Sequence, residues 1–236
     1  MTAPQKLSAE AQKEAVGEAA LAHVKDGMKV GLGTGSTAAW FVKAIAREVK
    51  AGMKLTLVST SVQTTTLAES LGLAIRDIND VGTLDVVVDG ADEIGEGLAL
   101  IKGGGGALLR EKLVWEQART CVVIADISKH VPLLGKFALP VEVEPFAYKS
   151  TVNRICDVLL EFDIQKVPVM RKRDGQPYLT DGGNLIFDIA CGAIHEPAGL
   201  ASALKSLTGV VEHGLFLDLA EVALLGTDTG VQTVYP

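Results

Sequence analysis

Apolar positions along the first half of the chain alternate between two periods. Ser8 to Lys25 places Ala11, Ala15, Leu21 and Val24 among the apolar positions of an amphipathic helix, with Ser8 set to cap it. Met28 to Leu32 predicts a strand, a glycine-rich turn follows, and Ser36 to Val49 predicts a helix that buries Trp40, Phe41 and Ile45. The unit then repeats. LTLVST predicts a strand, Val62 to Leu71 a helix, LDVVVDG a buried strand, Ala107 to Ala118 a helix, and TCVVIAD another strand. This alternation predicts an α/β fold, a Rossmann-like, mostly parallel sheet with helices on both faces. Ligand loops of such sheets lie beyond the carboxyl ends of the strands, where the glycine turn at 31–35 and the acidic turn at 89–93 fall.

From about Leu139 the rhythm changes. LPVEVEP, a helix from Lys149 to Glu161 and the stretch KVPVMRKRDGQPYLTDGGNLIFDIA predict short strands separated by turns, closed by a helix from Pro197 to Leu207 and a strand near Val210. That pattern suits a smaller α+β domain over residues 138–211. VALLG and QTVYP are placed to return to the main sheet, so the first domain is expected to be discontinuous, residues 1–137 and 212–236.

Composition narrows the function classes. A chain of 236 residues with 48% hydrophobic residues can bury a full core. The net charge of -7 argues against nucleic acid as a partner, because that affinity rests on clustered Lys and Arg. No apolar run approaches the roughly 20 residues that cross a bilayer, and MTAPQKLSAEAQKEA lacks the apolar segment of a signal peptide. No membrane partner and a cytoplasmic location are expected. Cys121, Cys156 and Cys191 are odd in number and lie in apolar stretches, as reduced core thiols do. His23, His130, His195 and His213 are scattered, so no metal is expected and the chemistry falls to carboxylates, lysines and amides.

Three clusters stand out. GLGTGSTA, residues 31–38, offers Gly35 and the hydroxyls of Thr34, Ser36 and Thr37 beside a helix N-terminus, an anion cradle unless it merely packs helix on strand. Ser36 stands where a dinucleotide fingerprint needs glycine, and Ser59 and Thr60 stand where it needs an acid; Gly35 replaces the lysine of a nucleotide P-loop. NAD and ATP are thereby demoted. VVVDGADEI, residues 86–94, sends Asp89 and Asp92 off a buried strand, with Glu93 beside them; the alternative is a capped, solvated turn. IKGGGGALLREKLVWEQA, residues 101–118, sets Lys102 before Gly103 to Gly106, as suits a developing oxyanion. Glu111 follows at helical spacing from Leu108, Val114 and Trp115, with Arg110, Lys112, Glu116 and Arg119 on the polar sides. A carboxylate on the apolar stripe is costly unless functional or ion-paired.

GTGST, VDGADE, KGGGGAL followed by REK, and ADISKHVPLLGKFALPVEV, in that order, resemble the successive motifs of the ribose-5-phosphate isomerase A family across nearly the whole chain, the last glycine of the run being a variant. The resemblance implies an aldose–ketose isomerase of the non-oxidative pentose phosphate pathway, a homodimer with no cofactor, whose small-molecule partner is a sugar phosphate. It implies substrate contacts at Thr34, Gly35, Ser36 and Thr37, at Asp89, Gly90, Ala91 and Asp92, and at Lys102, Gly103, Gly104 and Gly105. It also implies Glu111 as the base and Lys129 and Lys13 as contacting lysines. Expected roles are enediolate stabilisation by Lys102 with the Gly103 and Gly104 amides, ring opening by Asp89 and hydroxyl orientation by Asp92. The same fold serves phosphosugar deaminases, CoA transferases and sugar-phosphate sensors, and fold alone does not choose among them.

Overall fold

Val30 and Leu32, Val86 and Val88, Val122 and Ile124, and Val222 and Leu224 are buried at alternate positions of neighbouring strands, the period of a pleated sheet with a covered face. In the computed structural model, which describes residues 7–236, these strands form a six-stranded sheet. Its order is Gly230–Val234, Val222–Thr227, Cys121–Asp126, Val86–Gly90, Lys29–Leu32 and Thr56–Ser59. Every pairing is parallel except that of Gly230–Val234 with Val222–Thr227. The covering layer brings Val16, Ala20, Phe41, Ile45 and Ala68 into one core with those strands. On the opposite face Val114, from the helix Leu108–Glu116, packs over Gly31 and Val87. The strand Lys29–Leu32 lies between Thr56–Ser59 and Val86–Gly90. The chain therefore leaves its first strand in one direction and later returns to its other side, a topological switch point at which the following loops diverge and leave a crevice.

Local signals set most boundaries. Ser8 caps the first helix, its hydroxyl accepting from Ala11 N at 3.2 Å. The α-helix covers only Ala9–Ala19 and tightens into the 3-10 turn Ala20–His23, stopping short of the expected Lys25 because Val24 is already extended. The next helix, Ala38–Lys50, leaves Ser36 and Thr37 in the turn before it. The two terminal strands lie in the main sheet. Cys121 is buried, Cys156 and Cys191 are only half-buried, and all three are free thiols. Among the described residues, no helix is long and apolar enough to cross a membrane.

The described chain divides into two compact units. The larger runs through Ala91 and includes Arg110–His130 and Asp218–Pro236; the smaller comprises Asp92–Leu109 and Val131–Leu217. The smaller unit has an antiparallel sheet ordered Val210–His213, Leu139–Val143, Leu185–Ile189, Val169–Met170. Its core joins Val141, Val143 and Phe187 to Leu159 of the helix Tyr148–Glu161 and to Leu200 and Leu204 of the helix Pro197–Lys205. A second antiparallel sheet of two-residue strands, Leu215–Phe216, Leu100–Ile101 and Glu93–Ile94, has no counterpart in the sequence reading.

Candidate active site

In the larger unit the glycine turn leaves the strand Lys29–Leu32 and is held from beneath by Asp89. This carboxylate is fully buried, and burial of a charge requires donors. Its Oδ1 accepts from Thr34 N at 2.9 Å and from Gly90 N at 2.7 Å. Gly33 N also bonds to Val88 O at 2.9 Å. A Cβ at Gly33 would stand 2.2 Å from Asp89 Oδ1, so no larger residue fits there. The Thr34 hydroxyl points inward, 2.7 Å from both Thr60 Oγ1 and Ser61 Oγ and 3.0 Å from Thr64 Oγ1. Thr64 Oγ1 in turn donates to Gly33 O at 2.9 Å.

Sequence reasoning missed this hydroxyl cluster. The signal was the run from Ser59 to Ser61, read only as the absence of an acid. Beyond Thr34 the loop opens: Gly35 and Ser36 are exposed and Thr37 is half-buried. They lead into the helix Ala38–Lys50, whose first-turn amides favour an anion. Lys13 Nζ donates to Ser36 Oγ at 3.0 Å, which brings the first helix's cation to the mouth of the turn.

The helix Leu108–Glu116 carries Glu111, which is only 4% exposed, and one turn later Trp115, which is 1% exposed. Trp115 Nε1 lies 3.4 Å from Asp89 Oδ2, so the apolar stripe that bears Glu111 reaches the carboxyl end of the sheet. Lys112, assigned to a polar side from the sequence, is 8% exposed and buried; the helix is enclosed on more than its apolar stripe. Lys129 ends the 3-10 turn Ile127–Lys129 at the carboxyl end of Cys121–Asp126 and is half-buried. Gly90 and Ala91 are half-buried.

In the smaller unit Lys102 is 2% exposed, with its ammonium 5.4 Å from the centroid of the Phe216 ring. Its backbone N donates to Gly214 O at 2.9 Å. Asp92 Oδ2 accepts from Gly104 N at 2.7 Å. The Gly104 amide, expected from the sequence to meet substrate, thus serves Asp92. Glu93, the third acid of the turn, accepts from Gly135 N and Phe137 N at 2.7 Å each and fixes the backbone around residues 135–137. The three neighbouring acids are separated in role by their donors. Among the described residues, no group of three or more His, Cys, Asp or Glu side chains is arranged to hold a metal ion.

The family model for ribose 5-phosphate isomerase A (phosphoriboisomerase A) matches residues 56–230. The ribose-5-phosphate isomerase A of Caulobacter sp. (strain K31) is 56% identical over 230 residues, covering 98% of this chain and 100% of the relative. A solved structure of a D-ribose-5-phosphate isomerase in complex with phospho-erythronic acid superposes with a TM-score of 0.90 at 36% identity, covering 98% of this chain and 100% of that one. The ribose 5-phosphate isomerase of Plasmodium falciparum gives 0.91 at 33% identity, covering 96% and 99%. The chain belongs to the ribose 5-phosphate isomerase A family.

Proposed function

We propose that this protein interconverts D-ribose 5-phosphate and D-ribulose 5-phosphate through an enediolate, as a step of the non-oxidative pentose phosphate pathway. The observation that carries the reading is Glu111, a carboxylate only 4% exposed one turn before the tryptophan that meets Asp89. A buried carboxylate at the ligand edge of a parallel sheet, preceded by a lysine and a glycine run, is an arrangement suited to proton transfer next to a carbonyl. The ligand named in the related complex is a phosphorylated sugar acid, and a carboxylate shares the planarity and charge of an enediolate.

In this reading Ser36 and Thr37, with the helix N-terminus and Lys13, hold the phosphate and fix the reacting carbons. Thr34 and Gly35 shape that cradle. Asp89 assists opening of the sugar ring, and Asp92 orients hydroxyls. Glu111 removes the proton beside the carbonyl and returns it to the neighbouring carbon, as the glutamate base of triosephosphate isomerase does. Lys102 and the amides around Gly103 and Gly105 stabilise the oxyanion. Lys129 contacts substrate. Proton transfer of this kind needs no redox cofactor and no metal.

The test is ribulose 5-phosphate formation by chelator-treated protein beside Glu111→Gln. The native protein is expected to turn over and the variant to lose about three orders of magnitude or more in kcat with little change in binding. Near-native turnover by the variant would remove Glu111 from the role. We also propose a cytoplasmic homodimer, checked by fractionation and sedimentation. A catalytic domain of residues 1–137 and 212–236, with a small domain of 138–211, is checked by limited proteolysis against the compact units above, in which Asp92–Leu109 goes with the smaller.

A further inference from the structure

Three successive carbonyls of the second glycine loop are bound by two side chains that no part of the proposed mechanism uses. Arg171 Nη1 donates to Gly103 O at 2.8 Å and to Gly104 O at 3.2 Å, and the Tyr178 hydroxyl donates to Gly105 O at 3.3 Å. The other edge of the Arg171 guanidinium is locked on Asp188, Nε at 2.9 Å from Oδ2 and Nη2 on Oδ1. Its backbone is fixed as well: Arg171 N bonds to Ile186 O at 2.8 Å and Tyr178 N to Arg171 O at 2.9 Å. The Arg173 guanidinium lies over the Tyr178 ring, 4.6 Å from its centroid. A planar fork that holds a carboxylate with one edge while its remaining nitrogen spans two carbonyls is geometry that lysine cannot reproduce.

In a trans peptide the carbonyl and the following N–H point in opposite directions. Carbonyls of Gly103 and Gly104 drawn toward Arg171 therefore turn the amides of Gly104 and Gly105 the other way. Gly104 N then meets Asp92, and Gly106 N closes on Gly103 O at 3.0 Å. No described residue accepts from Gly105 N, on an exposed residue. The last glycine of the run, the variant position, fits the same device: Gly106 has φ +83°, and a Cβ there would stand 2.3 Å from the Tyr178 hydroxyl oxygen.

We infer that Arg171, anchored by Asp188 and assisted by Tyr178, is a positioning residue for the isomerisation. It holds the loop's carbonyl side so that the Gly105 amide and Asp92 face the sugar oxygens. This rests on the isomerase reading above.

The experiment joins kinetics with a readout that needs no turnover, amide hydrogen exchange over residues 102–107. Arg171→Lys keeps the charge and loses the fork; Arg171→Ala loses both. Faster exchange in this loop is expected in both variants, and a smaller increase in Tyr178→Phe. In the ribose 5-phosphate assay kcat is expected to fall about 100-fold in Arg171→Ala with KM within about threefold. Ethylguanidinium at sub-denaturing concentration is expected to restore part of the Arg171→Ala rate. Unchanged exchange in folded Arg171→Lys overturns the clamp whether or not the native protein is an isomerase. Native-like kcat in Arg171→Lys, or an Arg171→Ala loss that ethylguanidinium does not lift, overturns its link to the reaction. An inactive native protein with a loosened loop in the variants overturns the isomerase reading instead and leaves the clamp standing.

Discussion

The turn at 33–37 is gripped through its amides, and the run at 103–106 through its carbonyls. In the first, a fully buried carboxylate collects the N–H groups of Thr34 and Gly90, while Thr64 ties back the Gly33 carbonyl. The inner amides are thus taken, Gly33 N by Val88 O and Thr34 N by Asp89, and the open end at Ser36 and Thr37 is left for an anion. In the second, Arg171 and Tyr178 take the carbonyls and turn the peptide planes outward. The difference teaches that a glycine-rich loop becomes a binding element by what fixes its other side. The first loop is fixed by a fully buried carboxylate packed against it, the second by donors on half-buried side chains.

Alanine scanning of the glycines breaks this contrast most severely. Gly33→Ala places a Cβ 2.2 Å from a carboxylate that is 0% exposed and already committed to two amides. The variant is expected to lose about 3 kcal/mol of stability and about 100-fold or more in kcat/KM. Gly104→Ala places a Cβ 2.5 Å from Asp92 Oδ1, but that atom is the end of a side chain that is only half-buried. A loss of about 1 kcal/mol and about 10-fold in kcat is expected. Urea unfolding and steady-state kinetics on the pair decide it; equal losses would mean that the two loops are fixed alike.

The contrast was half legible in the sequence. The strands were readable because buried parallel strands are near-continuous apolar runs, and the loops because GTGST and KGGGG interrupt them at the ligand edge. The clamp was not readable. In MRKRDGQPY nothing sets Arg171 apart from its neighbours Lys172 and Arg173, which are exposed; only its place beside Leu185–Ile189 brings it to Gly103. Strands of two residues, such as Leu215–Phe216 against Leu100–Ile101, are too short for a period and pair across more than a hundred residues of sequence. The Thr34 hydroxyl cluster was hidden because Ser and Thr are equally ordinary in loops.

A milder test probes the open end of the first loop. Lys13 touches Ser36 from a side chain still 22% exposed. Lys13→Ala is expected to raise KM about threefold to fivefold, the value of roughly 1 kcal/mol for a partly screened charge, with kcat unchanged. The difference should shrink as salt is added, because an exposed charge is screened. A kcat effect instead would place Lys13 nearer the reacting carbons than the phosphate.

The smallest expected effect concerns the sheet beneath the second loop. Glu142 is 1% exposed and its Oε1 accepts from Thr180 Oγ1 at 2.8 Å and Asn184 Nδ2 at 2.9 Å, where the chain turns back after Tyr178. Burial pushes its pKa above the ordinary 4.5 and nearby Glu212 adds to the rise, against the hydrogen bonds from Asn184 and Thr180. The folded protein therefore holds this proton more tightly than the unfolded chain does. The stabilisation is complete below the unfolded value and is lost as pH rises through the folded one. Glu142→Gln keeps an acceptor for Thr180 and Asn184 and cannot titrate. Its melting temperature relative to the native protein is expected to climb with pH above 4.5 and then level off, with kcat unchanged. A gap that stays constant from about pH 4 to about pH 8 would show that Glu142 is ionised at ordinary carboxylate values, and that the sheet tolerates a buried charge beneath this loop.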